Sequence, residues 1–234
     1  MIACLDLEGV LTPEVWINVA ERTGVEALRR TTRDEPDYDR LMRFRLDILD
    51  REGITLPTIQ EVIDGMGPLP GAVEFLAWLK RKAQVIILSD TFYQFAEPLM
   101  RQLDFPCLFC HRLDVTADGR ITGYRLRIED GKRRAVEALR GLNLHIVAAG
   151  DSYNDTTMLK AAHAGILFRA PQKVVDAFPQ FPAATCGSPT RHPRRRFAEV
   201  RCQWLRLAAS PRRCCQALRS RRVRDAHLED DGFA

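Results

Sequence analysis

Short apolar runs that stop abruptly at an acid recur along this chain, and between them apolar residues return at helical spacing. Residues 2–5 run into Asp6-Leu7-Glu8-Gly9-Val10, residues 84–88 into Ser89-Asp90, and residues 145–149 into Gly150-Asp151. Continuous apolar runs of this length suit strands covered on both faces. Two weaker runs, residues 105–110 and 164–168, read as further strands. Residues 113–127, alternating about Asp118-Gly119, read as a β-hairpin. Amphipathic helices are predicted over residues 72–82, 92–103, 130–141 and 154–162. Strand and helix alternate, so the fold class is α/β, a doubly wound parallel sheet with helices on both faces.

One stretch breaks the alternation. Residues 14–23, 38–52 and 58–66 are helical in pattern and no strand separates them. A helical insert directly behind the first strand reads as a cap over the strand's carboxyl end. Pro68-Leu69-Pro70-Gly71 closes it.

Composition narrows the class. The 234 residues with 46% hydrophobic content make one good-sized domain plus an insert or tail. No run approaches a membrane span. The start lacks a secretory pattern, and seven cysteines lack a framework, so a cytoplasmic protein is expected. Cys107-Leu108-Phe109-Cys110 has no second pair and reads as packed strand, and His111, His145 and His163 read as packed histidines.

In doubly wound sheets, ligands sit beyond the carboxyl ends of the strands. Three such ends carry Asp6/Glu8, Ser89/Asp90 and Asp151 through Asp155, with Lys132 ahead of the last. Paired carboxylates at a strand end suit a hard cation, a nucleophile or a proton shuttle. Acids alone would repel one another, so a cation is implied, and oxygen-only donors favour magnesium. Magnesium, a lysine, a hydroxyl and a glycine-flanked loop together suit a phosphoryl group. No Walker-type loop is present, which argues against an ATP-using kinase.

Asp6-Leu7-Glu8-Gly9-Val10, Ser89, Lys132 and Gly150-Asp151-Ser152-Tyr153-Asn154-Asp155 resemble, in order and spacing, the four motifs of the haloacid dehalogenase-like phosphatase superfamily. The likeness is strongest to its phosphoserine phosphatase branch, and there to members that also pass the phosphoryl group to homoserine. It implies a Rossmann-like core of residues 1–13 and 69–185 with a small helical cap at 14–68. It also implies Mg2+ dependence, O-phospho-L-serine as substrate and a homodimer. By resemblance, Asp6 is the nucleophile and a metal ligand. Glu8 is the acid/base, with its backbone carbonyl on the metal. Ser89 and Lys132 hold phosphate oxygens, Asp151 ligates the metal, Asp155 supports the metal shell and Asn154 contacts substrate. Glu14 meets the substrate ammonium and Arg45 clamps its carboxylate, while Asp90 stands where the branch usually has glycine and is assigned to substrate binding. Most of the superfamily has aspartate at the position of Glu8, and the longer side chain is consistent with a different choice of acceptor.

Charge divides the chain unevenly. Residues 186–234 hold 12 Arg, no Lys and 5 acids, and four of the seven cysteines. The body is mildly acidic by comparison. A basic arm for nucleic acid would have this composition, and so would GC-rich DNA translated in a shifted frame. We read the segment as disordered or frameshifted, with no nucleic-acid partner.

Overall fold

The computed structural model describes residues 1–184 apart from Arg33 and Pro36, so the basic segment lies outside the described residues. The order is β1 (Ile2–Leu5), α1 (Val15–Thr23), α2 (Tyr38–Arg51), α3 (Leu56–Asp64), α4 (Ala72–Lys80), β2 (Gln84–Phe92), α5 (Tyr93–Gln102), β3 (Cys107–Val115) and β4 (Ile121–Arg125). Then come α6 (Gly131–Gly141), β5 (Ile146–Gly150), α7 (Thr156–Ala161), β6 (Ala164–Phe168), α8 (Gln172–Ala177) and β7 (Ala183–Ala184).

The strands form one sheet in the order β4-β3-β2-β1-β5-β6-β7, parallel throughout except for β4. The chain starts at the sheet's centre, and β1 pairs with β2 on one side and β5 on the other. Successive β1 residues point to opposite faces. Ala3 and Leu5 accordingly join the apolar cluster on one side, and Ile2 and Cys4 the cluster on the other. Each large apolar side chain buried this way contributes about 1.5–3 kcal/mol. β1 and β5 are buried at every position, and the carboxyl ends of β2, β1 and β5 open side by side.

Two details differ from the sequence reading. Residues 105–110 and the first arm of the hairpin are not separate. They form the single strand β3, because nothing in Cys110-His111-Arg112-Leu113 supplies a turn. The sheet also gains the two-residue β7, and α8 precedes it; both are too short to show a period.

The first helices after β1 begin and end where their sequences say they should. Gly24 closes α1 at φ +73°, the left-handed cap that glycine adopts without strain. Asp37 opens α2 by accepting the Arg40 backbone N–H at 3.0 Å. These helices reach the core through α2 and α3. Arg120 pairs with Asp50 at 2.6 Å, Leu56 N–H donates to the Gly119 carbonyl at 2.9 Å, and Gln60 donates to the Gln94 carbonyl at 2.9 Å. No helix among the described residues is long and apolar enough to cross a membrane.

Candidate active site

The motif residues meet at the carboxyl ends of β1, β2 and β5. Strand pairing ends at Leu5, and the next residues form a tight turn instead of continuing the pleat. Leu11 and Thr12 N–H groups both donate to the Leu7 carbonyl, and Gly9 N–H donates to the Thr12 carbonyl. This turn, not strand alternation, brings Glu8 back to the cavity that Asp6 lines. It depends on Gly9, whose φ is +75° and where a Cβ would sit 2.5 Å from the Asp151 carboxylate.

Lys132 opens α6 yet is only 6% exposed. Its ammonium lies 2.8 Å from Asp155 Oδ1, 3.0 Å from Asp6 Oδ1 and 3.3 Å from Asp90 Oδ2. Burial works against its charge, but Asp155, Asp6 and Asp90 outweigh it and hold the ammonium well above its usual range. The adjacent Arg133 points away, to Asp130 and Glu137.

Asp155 is fully buried and anchors the fourth motif. Its Oδ2 accepts from Asp151 N–H at 2.9 Å and from Ser152 N–H and Oγ–H at 3.0 Å each. Asp6 Oδ1 takes the Leu7 N–H at 2.8 Å as well as the Lys132 contact. Burial, then the charge of Asp155, raises the Asp6 carboxyl well above the ordinary carboxylate range, against the pull of Lys132. Burial, then the charge of Glu14, pushes Glu8 up to about 7, although its carboxylate accepts the Val15 N–H at 2.9 Å and the Thr91 hydroxyl. Ser89 is buried and its Oγ accepts the Thr91 N–H at 3.3 Å, which leaves the hydroxyl proton for another acceptor.

The helices between β1 and β2 supply the opposite wall. The cavity, about 100 Å³, is lined by Asp6, Glu8, Ser89, Asp90, Lys132, Asp151 and Asn154 from the core side and by Glu14 and Arg45 from the helices. Every residue singled out in the sequence lines it except Asp155, which sits behind. Arg45 is 6% exposed, stacks 4.4 Å over Trp16 and donates to the Arg30 carbonyl at 2.8 Å. Its Nε is buried without a partner among the described residues. Burial brings the guanidinium down to about 10, with Tyr38, Glu8 and Glu14 opposing. Asn154 reaches across to Thr32 Oγ at 3.2 Å.

Tyr38 and Thr91 also line the cavity and were missed. Tyr38 could have been found, because it stands seven residues before Arg45 on one helix and so shares its face. Of the three histidines expected to be packed, only His111 is buried; His145 is half-buried, and His163 is exposed because it stands in the turn ahead of β6. His145 and His163 stack at 4.6 Å between ring centroids, and Cys107 and Cys110 are free.

Asp6, Asp151 and Asp155 offer carboxylate oxygens all within 4.8 Å of one another, and all three residues are buried. Three carboxylates, Asp6, Asp90 and Asp155, stand around the ammonium of Lys132, and Asp151 adds a fourth beside Asp6 and Asp155. Such an excess of buried negative charge would turn away a phosphate dianion unless a cation joined it. An all-oxygen donor set of this kind fits a hard divalent ion such as Mg2+.

This constellation and fold define a hydrolase of the haloacid dehalogenase-like type. The family's model matches residues 1–163, and the chain belongs to that family. It is 62% identical over 182 residues to the phosphoserine phosphatase ThrH of Pseudomonas aeruginosa, covering 78% of this chain and 89% of the relative. A phosphoserine phosphatase of Pseudomonas syringae pv. tomato is also 62% identical over 182 residues, covering 78% and 77%. Among solved structures, a phospho-aspartyl intermediate analogue of a phosphoserine phosphatase superposes with a TM-score of 0.63 at 22% identity. That match spans 75% of this chain and 89% of the other, and it speaks for the fold.

Proposed function

We propose that this chain is a magnesium-dependent phosphoserine phosphatase that can also pass the phosphoryl group to homoserine. One observation carries the reading: the cavity presents a complementary partner for each charged end of O-phospho-L-serine. Lys132 and Ser89 sit on the phosphate side beside Asp6, and Glu14 and Arg45 face them from the helices. The Arg45 guanidinium lines the cavity and is the group that would face a carboxylate there. The 62% identity to a phosphoserine phosphatase agrees with it. In this reading residues 14–68 act as a cap on a core of residues 1–13 and 69–185.

Asp6 attacks phosphorus and forms an aspartyl-phosphate, and the P–O bond to serine breaks as Glu8 protonates the departing oxygen. Its carboxyl, at about 7, holds or releases a proton near neutral pH. Glu8 then takes the proton of the incoming hydroxyl, from water or homoserine, which attacks phosphorus and frees Asp6. Ser89 and Lys132 hold the phosphoryl oxygens, and Asn154 borders the substrate. A bound Mg2+ would be held by Asp6, Asp151, the Glu8 backbone carbonyl and, through the shell it organises, Asp155; it supplies neutralisation of the phosphate's charge.

The test is to follow phosphorus products by NMR with phosphoserine, Mg2+ and homoserine. O-phosphohomoserine beside inorganic phosphate is the expected result. Phosphate alone removes the transferase half, and no turnover removes the reading. Arg45→Ala tests the substrate class. It is expected to cut kcat/KM for phosphoserine by about 100-fold, the scale of a lost hydrogen-bonded charge partner. Turnover of p-nitrophenyl phosphate, which has no carboxylate, should stay within about threefold. Equal losses on both substrates would point to another phosphomonoester.

A further inference from the structure

We propose that His111 is a positioning residue that holds Asp90 as the third carboxylate on Lys132, and so keeps the lysine's ammonium fixed at Asp6. The inference rests on the reading of Asp6 as nucleophile and concerns what steadies the group beside it.

The placement comes from strand register. His111 lies on β3 opposite Phe92 of β2, and the pairing shifts between Leu88 and Phe92, the stretch that contains Asp90. The ring is buried between Tyr38 and Phe92, with centroids at 6.2 and 6.3 Å. The Arg127 backbone N–H donates to His111 Nδ1 at 3.1 Å. That nitrogen therefore carries a lone pair, and the proton of the neutral ring sits on Nε2. Nε2 lies 3.7 Å from Asp90 Oδ1. The other oxygen of the same carboxylate, Oδ2, is the one 3.3 Å from Lys132. Tyr38 fixes the backbone at the same residue by donating to the Asp90 carbonyl at 3.0 Å. Asp90 thus has its carbonyl bonded to Tyr38 and its carboxylate set between the lysine and the imidazole, the latter at 3.7 Å, a charge contact longer than a hydrogen bond.

The consequence lies in Lys132's donor count. An ammonium has three N–H groups, and here three carboxylates surround it. When Asp6 becomes an acyl phosphate it loses its charge, and the lysine keeps only Asp155 and Asp90 as carboxylate anchors. The third N–H is then free for a phosphoryl oxygen. Of the two remaining anchors, Asp155 is locked by the fourth motif, whereas Asp90 is 36% exposed in its side chain and depends on His111. Loosening Asp90 should therefore appear in the chemical step more than in substrate capture.

Two variants separate positioning from packing. His111→Asn keeps an acceptor near Nδ1 for the Arg127 N–H but cannot reach Asp90, whereas His111→Gln places an N–H donor near Nε2. His111→Asn should lower kcat about tenfold with KM within about twofold, the size of loss typical when a supporting partner is removed, and His111→Gln should stay within about threefold of wild type. On an Asp90→Asn background, His111→Asn should add nothing, because the effect runs through Asp90. Additive losses, or equal defects in the Asn and Gln variants, would overturn the proposal.

The cycle is run in parallel on phosphoserine and p-nitrophenyl phosphate. Failure on phosphoserine alone then counts against the substrate reading and leaves the cycle legible. A measurement without turnover completes the test. Nitrogen-15 correlation spectra of wild type should show His111 as the Nε2–H tautomer with a resonance that moves in Asp90→Asn. An Nδ1–H ring, or no response to Asp90→Asn, sinks the idea.

Discussion

Asp6→Asn is expected to lower turnover of any phosphomonoester by at least about 10⁴-fold while leaving the protein folded. Losing a nucleophile removes the covalent route altogether, and such changes cost about 10⁴ to 10⁶ in kcat elsewhere. The fold should tolerate the change because Asp6 sits in surplus charge. Asp6, Asp90 and Asp155 surround one ammonium with Asp151 beside them, and the amide lowers that excess by one unit. Lys132 keeps Asp155 at 2.8 Å and Asp90 at 3.3 Å. A melting temperature equal to or above wild type, without added metal, is therefore expected together with lost activity. A variant that loses activity because it unfolds would speak for Asp6 as a structural anchor.

The gathering of polar groups at the strand ends was legible because it depends on local pattern. Apolar runs ending in acids place Asp6, Ser89 and Asp151 at one edge whatever the loops do, since a parallel sheet aligns its carboxyl ends. Lys132 was less legible. Lys132, Arg133 and Arg134 stand in a row, and only the phase of α6, turning about 100° per residue, sends the first inward and Arg133 to solvent. Glu8 shares the cavity with Asp6 for a reason the local pattern does not carry. Its position follows from the turn closed at Thr12, a contact between residues that no strand period encodes. The partnership of His111 with Asp90 was hidden entirely. It needs the register between β2 and β3, with its shift between Leu88 and Phe92, which is a non-local fact.

Lys132→Met should destabilise the protein by about 3–5 kcal/mol, the cost of removing one partner from a buried charge cluster. For a chain of this size that corresponds to a fall in melting temperature of roughly 6–20 °C. Methionine nearly matches the stem's volume, so packing alone predicts little, and a solvated lysine at a helix start would cost within about 0.5 kcal/mol. The large value follows from what is left behind: Asp6, Asp90 and Asp155 within salt-bridge reach of a vacated ammonium, with Asp155 fully buried. The pH dependence gives the sign a second check in metal-free buffer. Burial and neighbouring acids already raise Asp6 above its ordinary value, and losing Lys132 removes the main opposing influence. The folded variant then binds more protons than the unfolded chain at pH values above about 4, so its stability falls as pH rises. The deficit relative to wild type should be larger at pH 8 than at pH 5.5, and added Mg2+ should narrow it by returning positive charge to the cluster. Denaturant midpoints at both pH values, with EDTA and with Mg2+, measure all three effects. A small deficit that ignores pH and metal would mean that Lys132 does not hold the carboxylates together.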